Sequence, residues 1–276
     1  MKKHFIQNII LGIRHQLTKL TRNEYSKIGL SIVQVKNLKH LPRNKIRRVK
    51  LFDSYFYFKN GRELIGGLEE LHLHEIYKQK LPENAVIYDC GAHIGLSVLY
   101  LKRLCPSAIL TAFEPDKNNF DLLSQNVTSY KLTNVTLENK AVWNDNTILN
   151  FAGDDDMSSH ITTNEDNNIK ASYQVPAVRL RDYLIKKVDF LKIDIEGAEY
   201  AVLKDVEDKL FLVNNFFLEY HGNFSDSNKL SEIFNILSNN GFQYYISEAM
   251  NVYKSPFYRD DVKPVYDVQL NIFCFR

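Results

Sequence analysis

Short, nearly continuous apolar runs alternate with amphipathic segments from about residue 85 to residue 275. Continuous apolar runs indicate strands that are buried on both faces, and the segments of helical periodicity between them indicate helices that cover a sheet. The runs predict strands that end at Cys90 and Phe113 and further strands over residues 135–142, 190–194 and 216–220. This alternation predicts an α/β domain with a Rossmann-like, mostly parallel sheet and helices on both faces.

The segments around these strands complete the predicted architecture. Two last apolar runs, residues 242–246 and 267–275, predict an antiparallel hairpin, so that a seven-stranded sheet has an antiparallel C-terminal edge strand. An N-terminal helix and a β segment over residues 48–58 come first. We therefore expect an N-terminal extension over residues 1–80 and a Rossmann-like domain over residues 81–276. Helices are predicted over residues 63–79, 96–104, 117–129, 199–206 and 229–238, the last closed by Gly241.

A glycine turn follows the strand that ends at Cys90. Asp89, Gly91 and Gly95 form D-x-G-x-x-x-G, and His93 stands where a dinucleotide pyrophosphate site has its second glycine. The two glycines let the backbone turn sharply and let a ligand approach the first turn of the next helix. The spacing therefore argues against NAD and for a ligand without a pyrophosphate, such as S-adenosylmethionine. His93 either lies near the methionine part of that cofactor or caps the helix.

Acidic residues follow the predicted strands at the same edge of the sheet. Glu114 comes directly after the second strand, and an acid there can accept hydrogen bonds from a ribose diol. Asp194 and Glu219 occupy the ends of the fourth and fifth strands, as Asp89 does in the first. A negatively charged cleft suits a cofactor that carries a sulfonium and an ammonium group.

Four segments together resemble the FkbM-type family of S-adenosylmethionine-dependent methyltransferases. They are K-I-D-I-E-G-A-E from Lys192, D-C-G-A-H-I-G from Asp89, F-E-P-D from Phe113 and L-E-Y-H-G from Leu218. The resemblance covers residues 85–221, about half of the chain. It implies an O-methyltransferase whose acceptor is a hydroxyl of a glycan, carrier-linked or free, or of a secondary metabolite.

The resemblance also implies roles for particular residues. Asp194 is expected to face both cofactor and acceptor, and Glu196 is expected to line the acceptor pocket. Lys192 is expected to pair with an acid beneath the site, because an unpaired buried lysine is costly. Ala141 and Val142 are expected to lie next to the adenine.

Methylation of an aliphatic hydroxyl calls for a base that removes its proton. His221 after the fifth strand and His160 in the acidic loop over residues 153–160 are the candidates, and with Asp194 they form the predicted catalytic set. Glu219, at the end of the fifth strand, is predicted to contact the acceptor. Ser159 is also predicted to contact it, because a long polar loop over the strand ends can serve as a substrate lid.

Clustered carboxylates leave a metal site open as an alternative. Asp194, Glu196 and Glu199 could ligate Mg²⁺, since hard cations accept such groups. We expect no metal, because Glu199 begins the following helix, where the dipole favours an acid.

The charges are unevenly distributed. Residues 1–50 hold 13 Lys and Arg against one acid, Glu24, although the net charge of the chain is only +2. This basic arm either packs as a solvated helix or meets an anionic membrane face or a phosphorylated carrier; no nucleic-acid motif accompanies it. The arm lacks a signal-peptide pattern, and the scattered Cys90, Cys105 and Cys274 suggest reduced core thiols. We expect a cytoplasmic protein. If the basic arm meets an anionic membrane, the protein would be peripheral at the inner membrane face.

Two other classes of function compete with a methyltransferase. A nicotinamide-dependent oxidoreductase is disfavoured by His93 in place of a glycine. A non-catalytic docking module that uses the basic arm is disfavoured by the acids at the strand ends.

Overall fold

The computed structural model describes residues 23–43, 45–152, 172–259 and 264–276. The chain divides into two compact units, one that ends at Ile76 and one over Tyr77–Arg276. The predicted N-terminal helix lies outside the described residues. Within the described ranges, no helix is long and apolar enough to cross a bilayer.

The first unit holds a β-hairpin and short helices. Its elements are a 3-10 helix Glu24–Ile28, α1 Ile32–Lys39, β1 Arg47–Leu51, β2 Ser54–Phe58, α2 Gly61–Leu68 and a π turn Glu69–Leu73. The hairpin confirms the predicted β segment. The helix predicted over residues 63–79 begins earlier, because the Asn60 side chain accepts a hydrogen bond from the backbone N–H of Arg62. It also ends earlier, because Glu75 adopts a left-handed backbone with φ +52°.

The second unit contains ten strands and four α-helices among its described residues. The strands are β3 Val86–Cys90, β4 Ile109–Phe113, β5 Val135–Glu138, β6 Ala141–Trp143, β7 Ile148–Ala152, β8 Ser172–Arg179, β9 Val188–Ile193, β10 Val213–Gly222, β11 Gln243–Glu248 and β12 Val268–Phe275. The helices are α3 Leu96–Leu104, α4 Lys117–Ser129, α5 Glu199–Val206 and α6 Ser227–Asn239, with 3-10 turns at Leu180–Asp182, Glu207–Leu212 and Phe224–Asp226.

Seven strands form one sheet in the order β11-β12-β10-β9-β3-β4-β5. β10, β9, β3, β4 and β5 pair in parallel, and β12 is antiparallel to both of its neighbours. The Rossmann-like, mostly parallel seven-stranded sheet is therefore confirmed, with its antiparallel strand one place in from the edge. The chain order reverses between β3 and β9, and sheets of this kind bind ligands beyond the carboxyl ends of the strands at such a point.

The prediction of a single strand over residues 135–142 is wrong, because two strands, β5 and β6, occupy this stretch. Asn139 interrupts it, because its side-chain amide donates hydrogen bonds to the backbone oxygens of Glu114 at 2.8 Å and Pro115 at 3.0 Å. β5 stays in the main sheet, whereas β6 joins a separate three-stranded sheet in the order β6-β8-β7. The polar composition of residues 144–168 predicts an irregular region. β7 lies inside it, because cross-strand pairing with β8 outweighs the weak local pattern.

One apolar cluster packs between the main sheet and helices α5 and α6. It includes Leu191 and Ile193 from β9, Phe216 and Leu218 from β10, and Val202 from α5, all with 1% exposure or less. All three cysteines are buried and free, as predicted. Because the parallel strands of the sheet are buried on both faces, their apolar runs are continuous rather than alternating.

Gly91 is the position where the backbone leaves β3. It has φ +87°, and a Cβ atom built there would lie 1.8 Å from the backbone oxygen of Asp194. Gly66 is different, because nothing lies within 4 Å of its Cβ position in α2.

We predict that Gly91→Ala lowers the free energy of unfolding by at least about 2 kcal/mol, because strain and overlap add. Gly66→Ala is the matched control and should be neutral or stabilising by about 0.5–1 kcal/mol. Urea denaturation measures both. Equal stability of the two variants would contradict the role given to the turn.

Candidate active site

The turn between β3 and α3 is tied to the neighbouring strand by its backbone. The N–H groups of Gly91 and Ala92 both donate to the oxygen of Phe113, at 3.0 and 2.9 Å. Gly95 has φ +91°, and a Cβ atom there would lie 2.7 Å from the side chain of Leu123. The two glycines are therefore required by contacts inside the protein, and not only by the approach of a ligand.

Glu114 lies directly beyond β4, beside this turn. Its Oε2 accepts the N–H of His93 at 2.7 Å, and its Oε1 accepts the N–H of Asp116 at 3.0 Å. Burial raises the pKa of Glu114 to about 8, although these hydrogen bonds act in the opposite direction. Each carboxylate oxygen keeps one further lone pair, so the group can still receive a hydroxyl.

His93 does not cap α3, so that expectation is wrong. The N-cap is Gly95, whose φ of +91° suits glycine, and no side chain caps this helix end. His93 itself has a left-handed backbone with φ +48°, which aims its N–H at Glu114. Burial lowers the pKa of His93 to about 4, against the pull of Asp194 and Asp116, so its ring is neutral at neutral pH.

A buried lysine joins the ends of β3 and β9. The Nζ atom of Lys192 lies 3.2 Å from Asp89, 3.2 Å from Asp194 and 2.7 Å from the backbone oxygen of Gly91. Burial lowers the pKa of Lys192, but the two carboxylates outweigh it and raise the pKa well above its usual value. The expected pairing of Lys192 with an acid beneath the site is thus found, with two acids.

Asp89 is placed differently from its predicted role. It is fully buried, and besides Lys192 it accepts a hydrogen bond of 2.5 Å from the hydroxyl of Ser97 in α3. Direct contact of this carboxylate with a ligand is not supported by that burial. Asp89 instead fixes the lysine and the first turn of α3.

Backbone N–H groups of the segment after β9 donate hydrogen bonds to a buried glutamate. Glu199, at the start of α5, accepts the N–H groups of Ile195 at 3.2 Å and Gly197 at 3.0 Å. Between them Glu196 adopts φ +54°, which is uncommon for a residue with a side chain. The turn thereby presents the Glu196 side chain with 39% exposure, whereas that of Glu199 is 1% exposed.

Glu219 and His221 lie within β10 rather than after it, because β10 continues past the end of β9 along β12. The Nδ1 atom of His221 is 3.1 Å from Glu199, and its Nε2 atom is 3.6 Å from Glu219 and 3.8 Å from Glu196. Burial lowers the pKa of His221, but the hydrogen bond to Glu199 and the nearby carboxylates of Glu219 and Glu196 outweigh it and raise the pKa to about 11. The ring is therefore an imidazolium at neutral pH, which disfavours the predicted role of His221 as a base.

The same cluster contains groups of the kind that hold metal ions. Donor atoms of Asp194, Glu219 and His221 lie within 4.8 Å of one another. Binding of a metal ion at His221 would have to release the proton that the surrounding carboxylates favour on its ring. The cluster as it stands balances part of its negative charge with the imidazolium instead.

Tyr266, which precedes β12, is a site residue that sequence analysis missed. Its hydroxyl donates to the backbone oxygen of Glu196 at 2.5 Å, and its ring centroid lies 5.1 Å from that of His221. No spacing or motif in the chain links position 266 to position 196, so only the three-dimensional fold brings them together.

The remaining predicted residues fall into two groups. Ala141 and Val142 are buried in β6, in the three-stranded sheet, and the side chain of Val142 packs in the main apolar cluster. Their predicted place beside an adenine stays a prediction. Ser159 and His160 lie outside the described residues.

Comparison with known proteins adds independent findings. A family model described as the methyltransferase FkbM domain matches residues 89–244. Methyltransferase 1 of Beauveria bassiana (strain ARSEF 2860) is 25% identical over 220 residues, which cover 68% of this chain and 88% of that protein. Methyltransferase sdnD of Sordaria araneosa is 30% identical over 178 residues, 50% of this chain and 67% of that protein. The crystal structure of a methyltransferase FkbM from Methylobacillus flagellatus KT aligns at 18% identity with a TM-score of 0.49, over 74% of this chain and 47% of that one.

We predict that Lys192→Met lowers the free energy of unfolding by about 3–5 kcal/mol, because the fully buried Asp89 carboxylate then loses its cation. Lys187→Met, at an exposed position, is the control and should change it by less than about 0.5 kcal/mol. Urea denaturation followed by circular dichroism measures both. A Lys192→Met protein as stable as the wild type would show that Lys192 does not hold the site together.

Proposed function

The chain belongs to the FkbM family of S-adenosylmethionine-dependent methyltransferases, and from that premise we propose that it methylates a hydroxyl group of a glycan or a secondary metabolite. The observation that carries the proposal is the group of carboxylates around His221 at the ends of β9 and β10. A hydroxyl loses its proton when its oxygen is methylated, and carboxylates placed beside it can receive that proton.

The residues at the ends of β3 and β4 fit the cofactor. Glu114 has lone pairs free for a ribose diol, and the glycine turn brings backbone close to that carboxylate. The excess of acids suits a ligand with two positive charges. When bound, S-adenosylmethionine supplies a methyl group on a positively charged sulfur, so the protein's part is to align the acceptor and exclude water.

The residues at the ends of β9 and β10 fit the acceptor. Glu196 and Glu219 have partly exposed side chains, 39% and 19%, and both can accept hydrogen bonds from hydroxyl groups. Asp194 lies between these residues and Lys192, where it can face both ligands. This arrangement supports a polyhydroxylated acceptor. The 13 basic residues among the first 50 support an acceptor attached to an anionic carrier.

Calorimetric titration tests the cofactor. S-adenosylhomocysteine should bind with a measurable heat and a single site, because it retains the adenosine and the ammonium group. NADH should give no heat, because the turn at His93 lacks the glycine that a pyrophosphate needs. Binding of NADH without binding of S-adenosylhomocysteine would instead favour an oxidoreductase.

Isotope transfer tests the acceptor. Enzyme and S-adenosylmethionine with a ¹³C-labelled methyl group are incubated with a glycan and metabolite extract of source cells that lack the gene. We expect a new methyl ether resonance in the ¹³C spectrum of the product. An N-methyl or S-methyl resonance alone would contradict a hydroxyl acceptor while leaving the family assignment intact.

A further inference from the structure

We propose that Glu196, and not His221, receives the proton of the acceptor hydroxyl, and that His221 acts as a fixed cation that positions Glu196. This inference rests on the proposed function and adds a catalytic and a positioning residue to it.

Neither ring nitrogen of His221 is free to accept a proton from the acceptor. Its side chain is 4% exposed, and carboxylates face both ring nitrogens, with Glu199 at Nδ1 and Glu219 and Glu196 at Nε2. A general base needs an unprotonated nitrogen that reaches the acceptor. Three surrounding carboxylates stabilise the doubly protonated ring instead. The histidine therefore supplies a permanent positive charge.

Glu196 is the most accessible carboxylate in contact with that charge. Its side chain is 39% exposed, compared with 19% for Glu219 and 1% for Glu199. Glu199 is further committed to two backbone N–H groups. Glu219 lies within β10, past the end of its pairing with β9, and it pairs with Asn271 of β12. Glu196 alone of the three stands on a turn.

The backbone of Glu196 is held in an uncommon conformation. Its φ of +54° is followed by +98° at Gly197, and its oxygen accepts the hydroxyl of Tyr266. A side-chain-bearing residue in this region costs free energy, and such costs are concentrated at functional sites. A Cβ atom on Gly197 would lie 3.0 Å from the Tyr266 hydroxyl, so the tyrosine and the turn are closely matched.

The titration of Glu196 agrees with this role. Burial raises the pKa of Glu196 and the His221 cation lowers it, and together they place the pKa at about 7. A base works best when its pKa lies near the operating pH. The charged or titratable groups that face it are His221 and Glu219 from β10, Asp194 after β9, Glu199 from α5 and Tyr266 before β12.

The proposed step conserves atoms and charge. The acceptor oxygen forms its new bond to the methyl carbon while the carbon–sulfur bond breaks, and that electron pair stays on sulfur. The acceptor O–H bond breaks in the same step, and its proton passes to a carboxylate oxygen of Glu196. The exposed side of Glu196 then returns the proton to water.

Methyl transfer to the same cell extract tests the role of Glu196. Glu196→Gln should reduce the initial rate by about 100-fold or more, while the dissociation constant of S-adenosylhomocysteine stays within about threefold of the wild type. Glu83→Gln, at an exposed position away from the cluster, is the control and should leave the rate unchanged. A Glu196→Gln rate within about threefold of the wild type would overturn the inference and leave the proposed function standing.

The pH dependence separates positioning from mere structural support. The wild-type rate should rise with pH and reach half of its plateau near pH 7, because Glu196 must be ionised to accept the proton. In His221→Asn the lost cation raises the pKa of Glu196, so the midpoint should move to higher pH. An unchanged midpoint would overturn the role of His221. Loss of the wild-type rate on addition of EDTA would overturn the inference in favour of a metal-activated acceptor.

Nitrogen-15 NMR of the histidine rings needs no acceptor and tests the same inference directly. The His221 resonances should show both ring nitrogens protonated at pH 8, and they should collapse to those of a neutral ring only in much more alkaline solution. A neutral His221 ring at pH 8 would restore the histidine as the base and overturn the inference.

Discussion

The buried ammonium group of Lys192 is the interaction on which the site depends. It joins β9 to β3 at the point where the strand order reverses, and it contacts Asp89, Asp194 and the backbone oxygen of Gly91. Without it, the fully buried Asp89 carboxylate would have no cation, and Asp194 would lose its ion pair. Its three partners are Asp89 in β3, Gly91 in the glycine turn and Asp194 directly after β9, so one cation aligns both halves of the proposed active site.

The acids around that lysine outnumber the cations, and this imbalance gives the site its chemistry. Burial raises the pKa values of Glu114 to about 8 and of Glu196 to about 7, so protonation of these carboxyl groups removes part of the negative charge near neutral pH. His221 compensates another part as an imidazolium. A bound ligand with positive charge would add compensation that the protein itself lacks, which is consistent with a sulfonium cofactor.

Local patterns were sufficient for most of the fold but not for the geometry of the site. Continuous apolar runs identified the parallel strands, and the K-I-D-I-E-G-A-E segment identified the family. The break at Asn139 was missed because it depends on side-chain bonds to a distant strand end. His221 was predicted as a base because the sequence does not show that β10 continues along β12 and surrounds it with acids. Tyr266 was missed because its partner is 70 residues away in the chain.

The central claim is that the ends of β3 and β4 hold the nucleoside and that the ends of β9 and β10 hold the acceptor. A crystal structure of the full chain with saturating S-adenosylhomocysteine tests this most directly. We expect a ribose diol within hydrogen-bond distance of Glu114 and a sulfur atom directed toward Asp194 and Glu196. A nucleoside bound elsewhere, or a sulfur atom directed away from these carboxylates, would contradict it.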